Sequence, residues 1–129
     1  MNHTEGNKMI ANYLGYEYIS SVNPEHERPN GINYGYWRLK SVDTFAEFIK
    51  LGKSRVYKHG AKLVYHEDYR ELMDALEMLE AKDGVTFHID GRNVFVVEFL
   101  GTEMFVEVTA DTKKEAIWLA MVQYITKKS

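Results

Sequence analysis

The chain has 129 residues, a formal net charge of −3, 45% hydrophobic and 13% aromatic residues and two prolines, the composition of one folded globular domain and not of a disordered segment. It contains no cysteine, which excludes disulfides, thiolate metal sites, iron–sulfur clusters and a cysteine nucleophile, and its slight acidity weighs against a dedicated nucleic-acid binder. The opening MNHTEGNKMIANYLG has no cationic start followed by an apolar run, and no stretch approaches the roughly 20 apolar residues of a membrane span, so the expectation is a soluble cytoplasmic protein with no membrane partner.

Met9, Ile10, Tyr13 and Leu14 sit at helical spacing before Gly15, which predicts a first helix from about Glu5 to Leu14. YEYISSVNPEHERPNGINYGYWRLK alternates aromatic and polar residues around a turn-rich middle. It predicts short strands over Tyr16–Ser20 and Tyr34–Lys40. In SVDTFAEFIKLGK, Phe45, Phe48 and Ile49 share a helical face, with Ser41 or Asp43 as cap and Gly52 as stop. Lys53 to Lys62 reads as a loop, and Lys62 to Tyr65 as a short strand.

The clearest helix is YHEDYRELMDALEMLEAKDG. Asp68 and Glu71 form a capping-box pattern, Tyr69, Leu72, Met73, Leu76, Leu79 and Glu80 share one face, and Gly84 ends it. Three strands follow. VTFHID turns Val85, Phe87 and Ile89 one way, Asp90-Gly91 is a hairpin signal, and RNVFVVEFL is apolar almost throughout, as for a central strand covered on both faces. After Gly101, Met104, Val106 and Val108 point inward opposite Glu103 and Glu107. Asp111 or Thr112 then caps a last helix to about Lys127, which buries Ala116, Ile117, Ala120, Met121, Tyr124 and Ile125. The pattern predicts a single α+β domain: an antiparallel sheet, a three-stranded meander plus one or two short strands, packed between helices as an α–β–α sandwich.

No arrangement of residues calls for catalysis or a cofactor. The five histidines show no ligand spacing, and His66-Glu67-Asp68 reads as a helix entry because consecutive residues point apart. His88 reads as a partly exposed cross-strand neighbour. The acids from Asp68 to Glu77, and Glu98, Glu103 and Glu107, space as solvated faces, and the glycines stand singly at turns. Charge is nevertheless segregated: Lys53, Arg55, Lys58 and Lys62 occur without an acid between them, whereas Glu67 to Glu80 holds six acids against Arg70. The cations are candidates for an anion or an acidic partner. Tyr34, Tyr36, Trp37 and Arg38 form an edge strand with a buried aromatic face, a protein-binding patch, or a surface on which the bases of a single-stranded nucleic acid stack beside cations. That edge, and the strand after Gly101, leave room for a homodimer.

Two families are similar. The order helix, three strands, helix, with Lys113 and Lys114 opening the last helix, resembles a double-stranded RNA-binding domain, whose KKxAK signature meets phosphates. Ile117 stands at that signature's third basic position, and Asp90-Gly91-Arg92 replaces the family's Gly-Pro-x-His loop. More of the chain resembles small phage and prophage proteins frequent in gut Bacteroidales genomes, described as a phage α–β–α sandwich domain of unknown function. Asn7, Lys8, Ile10, Ala11, Gly15 and Tyr16 match their NKxIAxFMGY opening; Tyr65, His66, Leu72 and Met73 match their YHxSWxWLMPVVEKIE helix; Lys114, Glu115, Ala116, Val122 and Ile125 match their SKIEAxYKAVVEFIKW end. Tyr69 and Glu71 replace the family's paired tryptophans, and Ser20 to Gly60 has no counterpart. This resemblance implies the sandwich fold and a mobile-element setting. The expectation is a non-enzymatic accessory protein that binds a protein or small molecule without a cofactor, with an RNA-binding module as the alternative.

Overall fold

The computed structural model describes residues 2–20, 35–40, 57–59, 63–98 and 104–128. The chain gathers into two compact units, Met1–Ile10 with Val64–Ser129, and Ala11–Leu63. Each holds a three-stranded antiparallel sheet. The α+β class expected from the pattern is the class the chain has, and the short strands form a sheet of their own, separate from the meander.

In the first unit, helix α1 (His3–Tyr13) contributes its residues up to Ile10. It starts two residues earlier than its apolar spacing predicts because Asn2 caps it: Asn2 Oδ1 accepts from the Glu5 amide at 2.8 Å. Helix α2 (Tyr69–Asp83) opens on Asp68, whose extended backbone lets Oδ1 accept from the amides of Arg70 at 3.0 Å and Glu71 at 3.2 Å. It closes on Gly84, where φ is 67° and a side chain would be strained. Leu72, Ala75, Leu76 and Leu79 are buried, each large one contributing about 1.5–3 kcal/mol of transfer free energy. Tyr69, expected on that face, is 43% exposed, since it directly follows the cap and lies beyond the packed turns. The expected strand from Lys62 to Tyr65 is not formed in its described part. Val64 instead accepts the amides of Glu67 and Asp68 at 3.0 and 2.8 Å, in a turn that sets the cap.

Strands β4 (Val85–Asp90), β5 (Asn93–Glu98) and β6 (Met104–Thr109) form the meander, with β5 central. Asp90 pairs with Asn93 across the predicted hairpin, and Gly91 takes the left-handed backbone the turn requires. Pairing moves from Val96 with Val106 to Val97 with Met104, so β6 carries one extra residue there, a bulge. Val85, Phe87, Val94, Val96, Val106 and Val108 make the buried face. On the other face, cover is partial: Phe95 and Val97 are half-buried, and His88 lies flat on its cross-strand partner Phe95 at 4.8 Å, the neighbour its position predicted.

Helix α3 (Lys113–Lys128) packs on β5 and β6, and α2 on β4. Thr112 caps α3, its Oγ1 accepting from the Glu115 amide at 3.1 Å. All six residues predicted for its inner side are buried, and so are Trp118 and Val122. Glu80, the one polar residue on the predicted inner face of α2, accepts from the Phe87 amide at 3.0 Å and satisfies an edge donor of β4.

In the second unit, β1 (Tyr16–Ser20), β2 (Gly35–Leu39) and β3 (Tyr57–His59) pair in that order. The loop expected from Lys53 to Lys62 is therefore corrected over Tyr57–His59, whose charged sequence belongs to a short sheet edge and not to a turn. Gly15, with φ of 93°, turns the chain from α1 into β1, and its carbonyl accepts the Lys40 amide at 3.0 Å. The helix expected over residues 41–52 lies outside the described residues.

Candidate functional site

His3, Gly6, Asn7 and Ile10 lie on one stripe of α1 by their helical spacing. A Cβ at Gly6 would overlap the Trp118 ring, so glycine is what lets the indole lie against the helix. Asn7, 1% exposed, is the buried polar side chain among the described residues. It needs partners on both ends of its amide. The Trp118 Nε1–H, which can only donate, lies 2.8 Å from Asn7 Oδ1. That fixes the amide's orientation, and Nδ2 then donates to His66 Nδ1 at 2.8 Å.

The relay decides the chemistry of His66. With Nδ1 accepting, the proton of the neutral ring sits on Nε2, which lies 3.1 Å from Glu67 Oε1. Both nitrogens have a partner close by, Asn7 at Nδ1 and Glu67 at Nε2, and the flat face of the ring is left for stacking. His3 uses that face: the two rings stack at 4.3 Å and 17°, and His3 meets Trp118 edge-on at 5.0 Å and 86°. The expectation that His66 and Glu67 would point apart is overturned, because the turn over Tyr65–Glu67 brings their side chains together.

Beside these rings lies an open cleft of about 220 Å³ lined by His3, His66, Thr112, Lys114, Glu115 and Trp118. Lys114 Nζ donates to the Glu67 carbonyl at 3.0 Å, which leaves it further protons for a ligand. Lys113 Nζ stands 6.0 Å from the centre of the exposed Tyr69 ring. The fixed tautomer also bears on metal binding. A metal at Nε2 requires that nitrogen unprotonated, and the Asn7 relay puts the proton there. Among the described residues no group of three or more His, Asp or Glu is placed to hold a metal ion.

The residues singled out from sequence separate. Lys114 lines the cleft with Glu115 and reaches the Glu67 carbonyl, while Lys113 stands near Tyr69. Lys58 lies on β3, and Lys53, Arg55, Lys62 and Tyr34 fall outside the described residues. Tyr36 and Arg38 are half-buried on one side of β2, while Trp37 turns to the other and is buried, so the aromatic patch divides between two faces. His3, Asn7 and Trp118 were not singled out. Asn7 carried the one available signal, an amide in register with Ile10 on the helix's apolar stripe.

No protein-family model, curated protein or solved structure matches the chain. No helix of the described residues is long and apolar enough to cross a membrane.

Proposed function

We propose that this chain is a small non-enzymatic binding protein, of the accessory kind carried by phages and prophages, and that the cleft beside His66 and Trp118 is its site for a small molecule. The observation that carries the reading is the His66 ring, held by Asn7 at Nδ1 with Glu67 close to Nε2. A general base needs a lone pair turned toward its substrate, and a recognition platform needs a fixed flat face; this ring has the second and lacks the first. The phage setting rests on the sequence resemblance, and a cytoplasmic location suits the cysteine-free composition. The tie from Lys114 to the Glu67 carbonyl, and a cleft that offers one lysine beside Glu115, favour this reading over duplex RNA, whose row of phosphates calls for several cations together.

Proton–nitrogen correlation spectra of the full chain test it, first with pooled single-ring compounds and then with duplex RNA at low salt. Small molecules are expected to move the Trp118 indole N–H and the amides of His66 and Glu115, while RNA leaves them unmoved. Shifts centred on Lys113 and Lys114 with RNA, fading steeply as salt is raised, would replace the small-molecule site with an RNA-binding one.

A further inference from the structure

We infer that the cleft takes a planar single-ring monoanion, a ring bearing one carboxylate, and that His3 is an exchangeable ring holding its place; the inference rests on the small-molecule reading above. Size comes first. With the His3 ring in place the cleft measures about 220 Å³, above the roughly 150 Å³ cavity known to hold benzene and below the range of about 300–1,000 Å³ typical of drug-sized ligands, and displacing that one ring enlarges it by a ring's volume. One ring with a short substituent fits between these limits.

Shape comes second. The face of His66 and the edge geometry at Trp118 already accommodate a flat ring, that of His3. His3 is exposed, the first residue of α1, and it meets the His66 and Trp118 rings through its own ring. Its neighbours are fixed more firmly: His66 by the Asn7 hydrogen bond at Nδ1 with Glu67 close to Nε2, and Trp118, 3% exposed, by Asn7. A rigid slot filled by an exposed side chain is one that a free ring of similar shape can enter by displacing it.

Charge comes third. Lys114 is the cation lining the cleft, and the Thr112 hydroxyl, which accepts from the Glu115 amide, keeps its own proton to donate. The Glu115 carboxylate also lines the cleft and Glu67 stands beside it. A single ammonium with an acid lining the same cleft can pair with one negative charge on a ligand and has no second cation for another, which separates a carboxylate from a phosphate.

The experiment is a titration of the full chain with benzoate, benzamide and inorganic phosphate, read at the Trp118 indole N–H. Saturable benzoate binding is expected, with the other two at least about tenfold weaker. Lys114→Gln is expected to reduce benzoate to the benzamide level, and Lys114→Arg to retain it. His3→Ala is expected to tighten benzoate roughly two- to tenfold by removing the competing ring. Equal binding of benzoate and benzamide, tighter binding of phosphate, or weaker benzoate binding in His3→Ala each overturns the inference while the small-molecule site stands. Failure of all three probes overturns it too, and the pooled-compound spectra then decide separately whether the cleft binds small molecules at all.

Discussion

The two tryptophans are buried almost equally, Trp118 at 3% exposure in the first unit and Trp37 at 5% in the second, yet their indole N–H groups meet different ends. Trp118 donates to Asn7, 111 positions away along the chain, and through it orders His66. Trp37 packs beside Tyr18 at 5.5 Å, and its Nε1 has no hydrogen-bond partner among the described residues. The same side chain is thus a wedge of apolar area in one unit and the head of a polar relay in the other. A buried donor with a directional partner specifies orientation, which area burial alone does not. That is why the fixed ring, and the cleft beside it, occur in the first unit.

The largest effect should come from removing the middle of the relay. Asn7→Ala leaves the Trp118 N–H buried without its acceptor and releases His66 Nδ1, a loss of about 2–4 kcal/mol in denaturant unfolding, with a mixture of His66 tautomers in nitrogen chemical shifts. A milder pair of changes compares the tryptophans directly. Trp118→Phe and Trp37→Phe remove the same volume, so the extra cost of the first, about 1–3 kcal/mol, reports the lost hydrogen bond to Asn7. Equal losses would mean that the relay adds nothing beyond packing.

Two glycines extend the comparison to the backbone. Gly6→Ala drives a methyl into the indole and should cost about 1–2 kcal/mol after the gain in helix propensity is subtracted. Combining it with Trp118→Phe should recover part of that loss, the coupling expected of residues in contact. Gly15→Ala meets no neighbouring atom within 4 Å and is opposed by its positive φ alone, for about 1 kcal/mol with no rescue from any tryptophan substitution.

Local signals carried most of the first unit. The Asp68 cap, the Gly84 stop, the Asp90-Gly91 turn and the alternation along β4 each act within about four residues, and the structure has all of them. The errors fell where local pattern and tertiary position part. Tyr69 fits the apolar face of α2 but stands at its entry, outside the core. Trp118 lies off the stripe predicted for α3 and is buried because α1, through Gly6, comes to meet it. The segment Tyr57–His59 has loop-like composition and becomes a strand only because β2 presents an edge to pair with.

By itself, then, the sequence determined the class of fold, the caps and turns, the order of the meander and the inner side of α3, since these follow from interactions between near neighbours along the chain. The tertiary structure alone decided the site. Asn7 meets His66 across 59 positions and Trp118 across 111. The orientation of an amide and the tautomer of an imidazole depend on which donor and acceptor arrive from those distances, and periodicity along the chain carries no information about that.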